Sequence, residues 1–245
     1  MLKKLEVFDG KISVITAVYN AEDCIQHLIE SLRQQTDSNF EWVVVDGLST
    51  DHTLEILNQI DDLNIKIISE ADFGIYDALN KGIKACTGEY YLVAGADDIF
   101  FQNAIKDYKA AIEDGVNMVT ATIIKNGNEV KAGNGPAWQF GQGAFISNHA
   151  IGVLIKKNLH EIYGFYSRKF PISADQLFIQ QCALGGVYFR KIDAIIGEFF
   201  LEGISSTDHI GALTEFFRIQ ILLGRNKWIQ YIIYILRIFK QLKKN

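Results

Sequence analysis

At 245 residues, with 49% hydrophobic and 22% charged side chains, the chain carries enough apolar bulk for a substantial core, which excludes a disordered or fibrous protein. Net charge is −5, yet Leu213 to Asn245 holds seven basic residues against one acid, Glu215; that stretch is +6 and the remainder −11. An acidic body argues against nucleic acid as a partner, whereas a basic tail suits a polyanionic surface.

The first ten residues include Lys3 and Lys4 but no apolar core of a secretory signal. Cys24, Cys86 and Cys182 are far apart, odd in number and without metal-ligand spacing, so a reducing cytosolic setting is expected. Ile12 to Val18 is a β-branched apolar run of strand length. Polar residues Asn20 to Asp23 follow, then a helix with Ile25, Leu28, Ile29 and Leu32 on one face. Phe40 to Val45 predicts a second strand ending at Asp46-Gly47, and Leu54, Leu57 and Ile60 a second helix. Ile65 to Ile68 predicts a third strand, Ala71 to Ala85 a turn entering a helix, and Tyr90 to Ala94 a fourth strand.

This β-α-β-α-β-α-β order implies an α/β protein with a mainly parallel central sheet, helices on both faces and right-handed crossovers. Ligands bind such sheets at the carboxyl ends of the strands. Further on, Met118 to Ile124 predicts a strand, Asn126-Gly127-Asn128 a hairpin, and Val130 to Trp138 a return strand or loop. An apolar segment Ile151 to Ile155, a helix around Gln176 to Leu184 and one or two strands in Val187 to Ile196 complete the body.

The carboxyl end of the fourth strand carries Gly95-Ala96-Asp97-Asp98. Two adjacent carboxylates there are costly to hold unpaired, and either a turn cap or a bound cation or ligand accounts for them. Three other segments stand in comparable places. They are Ile12-Ser13-Val14-Ile15-Thr16-Ala17-Val18-Tyr19-Asn20; Val43 to Asp51 with its Asp46-Gly47-Leu48-Ser49 turn; and Glu70-Ala71-Asp72-Phe73-Gly74-Ile75-Tyr76-Asp77-Ala78-Leu79-Asn80-Lys81-Gly82-Ile83.

In this order the four segments resemble glycosyltransferase family 2, whose members have the nucleotide-diphosphosugar fold called GT-A. The resemblance implies an inverting enzyme that moves a sugar from a nucleotide-diphosphate donor, expected to be UDP-linked, to a hydroxyl of a glycan or polyprenyl-linked acceptor in surface polysaccharide synthesis. Thr16, Val18, Asn20, Asp46, Asp72, Gly74, Asn80 and Asp98 are then expected to hold nucleotide or donor. Asp97 is expected to bind a divalent metal, Mn2+ or Mg2+, with His209, after the loop-like Gly203 to Ser206, as an additional ligand. Many members have Asp-x-Asp where Gly95-Ala96-Asp97 stands, and an arginine where Leu79 stands. One carboxylate and one cation of the pattern are therefore missing, which puts more weight on the metal.

Inversion needs a general base on the acceptor side. The family supplies it near the start of a helix, which implies Asp175 in Ile172-Ser173-Ala174-Asp175-Gln176; on the residues alone, a first-turn carboxylate is the other reading. His149 and Trp138, with Phe140, are expected on the acceptor side, and core packing is their alternative. A catalytically inactive nucleotide-sugar or glycan binding module is a competing reading. So is a sugar nucleotidyltransferase, although the turn after the first strand lacks the Gly-rich basic loop of that class.

The GT-A domain is expected over residues 1–212, with a helical basic tail over 213–245. Trp228 to Phe239 is too short for the ~20 residues of a membrane span. Its aromatic and aliphatic residues flanked by cations suit an interfacial helix on an anionic leaflet, which predicts a peripheral protein at the inner face of the cell membrane. Core or dimer packing is the alternative. Removing Trp228 to Asn245 is expected to shift the protein to the soluble fraction.

Overall fold

The computed structural model of the chain describes residues 8–199 and 208–243. Its first half follows the sequence pattern closely. Strands β1 (Ile12–Val18), β2 (Phe40–Asp46), β3 (Ile65–Ser69) and β4 (Tyr90–Val93) alternate with helices α1 (Ile25–Arg33), α2 (Thr53–Asn58) and α3 (Ile75–Ala85). All three pairings among these strands are parallel, in the order β3-β2-β1-β4.

Beyond β4 the chain adds β5 (Ile99–Phe100), α4 (Ala104–Ala110), β6 (Met118–Lys125), β7 (Asn128–Val130), a short α5 (Ala137–Phe140) and a 3-10 turn over Gly141–Ala144. Next come β8 (Val153–Lys156), α6 (Leu159–Tyr163), α7 (Ala174–Leu184) and β9 (Phe189–Phe199). Helices α8 (His209–Leu222) and α9 (Lys227–Leu242) form a closing hairpin. The sheet continues from β4 through β8, β6 and β9 to β5, with β7 beside β6. Here only β6 and β9 pair in parallel, so the sheet is parallel in one half and mixed in the other. The hairpin turn between β6 and β7 places Asn126 and Gly127 at positive φ, as its sequence predicts.

Strand alternation divides the core between the two faces. Ile12, Val14 and Val18 of β1 pack with α1, α2 and α4 on one side. Ile15 packs with α3, α6, α7 and Ile219 of α8 on the other. Helix α3 lies close to the sheet because residue 82 is glycine: a Cβ there would sit 2.4 Å from Ile15 Cγ2.

The tail differs from the sequence expectation. A boundary after residue 212 falls inside α8, whose Glu215, Phe216 and Ile219 are buried, so this helix belongs to the body. Helix α9 packs back on α8 through ring contacts of Phe217 with Tyr231 and Tyr234 and a Thr214–Tyr234 hydroxyl hydrogen bond of 2.9 Å. Asn226 caps α9 by accepting from the amides of Trp228 and Ile229. Among the described residues no helix is long and apolar enough to cross a membrane.

Candidate functional site

The parallel register sets Val18 opposite Asp46 and Ile15 opposite Val93, so the turns after β1, β2 and β4 open at one edge of the sheet. The turns after β1 and β2 are laced together. Asn20, at φ +50, donates its amide to Ser49 Oγ (2.9 Å) and accepts from the Thr50 amide through Oδ1 (2.8 Å), while the Gly47 amide donates to the Val18 carbonyl (2.9 Å).

Several residues expected at the nucleotide are spent on building this edge. Thr16 is fully buried, and its hydroxyl accepts from the Trp42 indole at 2.9 Å; that group lies inside the sheet and not toward a ligand. Asp46 is equally buried: its carboxylate accepts from the amides of Leu48 and Ser49 (both 3.1 Å) and from Ser69 Oγ (2.7 Å). It shapes the turn that follows it instead of reaching outward. Asn80 grips both backbone groups of Tyr166 at 2.9 and 3.0 Å. Val18 and the Asn20 side chain serve the turn lacing already described.

What remains open at this edge is Asp72 with its surroundings. A Cβ on Gly47 would meet Asp72 Oδ2 at 2.6 Å, so the missing side chain at 47 leaves room for the Asp72 carboxylate beside Tyr19. Tyr19 is 64% exposed and Phe73 81% exposed. Gly74 adopts φ +100 with open space where a side chain would be, and its amide donates to Asp72 Oδ1 at 2.8 Å. Exposure of two aromatic rings beside a carboxylate was not legible in the sequence, where Tyr19 reads as one more residue of the strand end.

The Gly95 to Asp98 turn follows β4. Asp98 is buried and accepts from the Gly95 amide at 2.7 Å; burial, reinforced by the neighbouring Asp97, pushes its carboxyl up to about 8. Asp98 is thus an internal brace of this turn, and Asp97 lies half-buried on the same turn. Among the described residues no group of three or more His, Cys, Asp or Glu could hold a metal by itself. His209 is exposed at the start of α8 and joins no such group. The donor set fits a hard cation only in its phosphate-completed form, with one protein carboxylate and the phosphates of a substrate. Gly203 to Ser206 lies outside the described residues.

Asp175 stands in the first turn of α7, and no side chain caps the amides of that turn. Glu215 from α8 accepts from the amides of Ile172 (3.1 Å) and Ser173 (2.8 Å) at the helix start. The Asp175 carboxylate points elsewhere: Tyr76 Oη lies 2.6 Å from Oδ1, and Gln142 Nε2 donates to Oδ2 at 3.1 Å. Asp175 lines a small apolar cavity with Gln142, Ile146, Tyr166, Ile179 and Val93, the last residue of β4. The cavity therefore reaches from Asp175 to the strand that leads into the Asp97 turn.

On the flank, His149 stacks on Phe199 with centroids 3.8 Å apart, and burial lowers it to about 4, so the ring is neutral at physiological pH. Trp138 is partly exposed on α5, and its carbonyl accepts from Gln230 of α9 at 2.8 Å; Arg237 likewise donates to the Gln139 carbonyl. Tyr76, Gln142 and Glu215 have no signature in the sequence, because each is joined to the α7 start only by folding.

Comparison with known proteins agrees with this architecture. The profile described as glycosyl transferase family 2 matches residues 13–168. A PGL/p-HBAD biosynthesis glycosyltransferase of Mycobacterium tuberculosis is 29% identical over 206 residues, spanning 80% of this chain and 79% of that protein. Glycosyltransferase GlyA of Streptococcus pneumoniae is 25% identical over 201 residues, 80% of this chain but 27% of its own length. Among solved structures, S. aureus TarS 1–349 in complex with UDP-GlcNAc has a TM-score of 0.69 at 22% identity and covers 91% of this chain and 70% of its own. Mannosyltransferase PcManGT from Pyrobaculum calidifontis, in complex with GDP-Man and Mn2+, has a TM-score of 0.69 at 18% identity, with coverage of 89% and 66%. The chain belongs to glycosyl transferase family 2 and is a glycosyltransferase of the GT-A fold.

Proposed function

We propose that the protein is an inverting glycosyltransferase that moves a sugar from a UDP-linked donor to a hydroxyl of a glycan or polyprenyl-linked acceptor in surface polysaccharide synthesis. The observation that supports this reading is the Asp175 carboxylate, turned to Tyr76 and Gln142 rather than to the α7 amides and held beside a small cavity that Val93 at the end of β4 also lines. In the reaction the acceptor oxygen forms the new bond to the anomeric carbon. Its proton passes to Asp175, and the nucleoside diphosphate leaves from the opposite face with the electron pair of the broken bond. Asp72, Gly74 and the exposed ring of Tyr19 form the nucleoside side, and His149 and Trp138 flank the acceptor side. Asp97 would hold Mn2+ or Mg2+ together with the donor phosphates, and the charge of that cation would offset the departing diphosphate.

Calorimetric titration of UDP, with and without Mn2+, into the wild-type protein and Asp97→Ala tests the donor side. Metal-dependent binding that weakens tenfold or more in the variant is expected, the order of one charge-assisted contact. Binding unaffected by Asp97→Ala overturns the metal assignment. Binding without turnover of any sugar nucleotide favours an inactive nucleotide-sugar module.

The outward face of α9 supports a seat on an anionic bilayer at the cytoplasmic side. Trp228, Ile232, Ile235, Leu236 and Phe239 are exposed at helical spacing, with Lys227, Lys240 and Lys243 at the ends. Sedimentation with phosphatidylglycerol vesicles, absent with phosphatidylcholine and lost in Ile232→Glu/Leu236→Glu, is the expected result. Equal recovery of the folded double variant with anionic vesicles overturns it.

A further inference from the structure

We infer that Tyr76 and Gln142 are positioning residues that hold the Asp175 carboxylate in its productive orientation from two sides, an inference that rests on Asp175 being the base. Both carboxylate oxygens are engaged, Oδ1 by Tyr76 Oη at 2.6 Å and Oδ2 by Gln142 Nε2 at 3.1 Å. The two donors come from separate elements, α3 and the 3-10 turn after α5, 99 and 33 residues away in sequence. A carboxylate that only needed neutralising or capping would not require both.

The protonation of each donor is fixed by its surroundings. Tyr76 Oη also lies 3.0 Å from the Ile172 carbonyl, so both of its neighbours are acceptors and its single proton is shared between them, the shorter contact being to Asp175. Burial, with the Asp175 carboxylate next, pushes the phenol well up, and it remains a donor throughout the working pH range. Gln142 is nine-tenths buried, and facing a carboxylate with its amide nitrogen leaves Oε1 buried without a partner among the described residues. Such an orphaned acceptor costs free energy that a merely structural glutamine would avoid by turning over or by an apolar replacement. Other ionisable groups face this carboxylate too. Tyr166 and Glu215 both feel its charge, from the segment after α6 and from α8.

The donor-gripping half of the site is untouched by Tyr76→Phe and Gln142→Leu, both close in shape to the originals. The assay is nucleoside diphosphate release with water as acceptor, using whichever of UDP-GlcNAc, UDP-glucose, UDP-galactose and GDP-mannose the wild type turns over fastest. Each variant is expected to lower kcat about tenfold with donor KM unchanged, the order of one hydrogen bond to a charged group. In an Asp175→Asn background the same two changes are expected to leave the residual rate alone, because they act through that carboxylate. Wild-type kcat in both folded variants, or an undiminished tenfold loss in the Asp175→Asn background, overturns the inference. Full activity of Asp175→Asn, or no release from any of the four donors by the wild type, overturns the reading beneath it.

Discussion

The two sides of the site are built differently. On the donor side local and remote contacts share the work: Asp46 accepts from Leu48 and Ser49, two and three positions on, and Asp98 from Gly95, three back, while Asn20 ties the first turn to Ser49 and Thr50 of the second across 29 and 30 residues. On the base side every decisive contact is remote in sequence. Tyr76 reaches Asp175 across 99 residues, Glu215 reaches Ser173 across 42, and Gln230 reaches Trp138 across 92. Local turns form wherever the chain carries the right residues, whereas the Asp175 carboxylate acquires its surroundings only when three helices and a loop have docked. Substitutions on the donor side should therefore change binding locally, and those on the base side should couple turnover to stability.

The strongest attempt to break this contrast is Asp175→Asn. Turnover is expected to fall about 10^2–10^4-fold with UDP affinity retained, the range for loss of a general base; matched titration and turnover assays check it. A second test uses His160, buried under the base-side core with Nε2 2.6 Å from Tyr91 Oη and its ring stacked on Phe178. Burial lowers it to about 4 in the folded protein, against an ordinary value of 6.5 that the unfolded chain regains. The unfolded chain then binds the extra proton, so the stability from this site is complete above about pH 6.5 and drains as pH falls toward 4. The loss is about 3 kcal/mol once pH reaches 4; urea unfolding at pH 7 and pH 5 should show about 2 kcal/mol of decline from this site, which His160→Gln removes while the similar share of buried His149 remains.

Glu215→Ala strands the two amides at the α7 start. It should cost about 1–3 kcal/mol and lower kcat at the same time, read by urea unfolding beside steady-state rates. Gln230→Ala removes one hydrogen bond from α9 to α5 and should cost about 1 kcal/mol, with a small fall in kcat. If the base side is organised as described, that fall is accompanied by no change in UDP affinity.

The same contrast explains what could be read in advance. Alternating strands and helices, the carboxyl edge of the sheet and the Asn126-Gly127 hairpin depend on neighbours in sequence, and the periodicity of Ile25, Leu28, Ile29 and Leu32 identifies α1 without further help. A polar side chain near a strand end has two uses, ligand contact and internal bracing, and its place in the sequence does not choose between them. Thr16 and Asn80 look like ligand contacts by position, and only the packed protein reveals Trp42 and the Tyr166 backbone as their partners. The mixed half of the sheet was illegible for another reason: short strands such as β5 and β8 owe their pairing to β9 and β6 and not to their own pattern.

Helix α9 grips the carbonyls of Trp138 and Gln139 just ahead of the turn that bears Gln142. Cutting the chain before Trp228 would therefore be two experiments at once, stripping the exposed apolar face proposed to meet a bilayer and unfastening the turn that bears Gln142. Loss of activity in such a truncation says nothing about where the protein resides. Recasting only the outward face, as in Ile232→Glu/Leu236→Glu, leaves the fastening intact and separates address from chemistry.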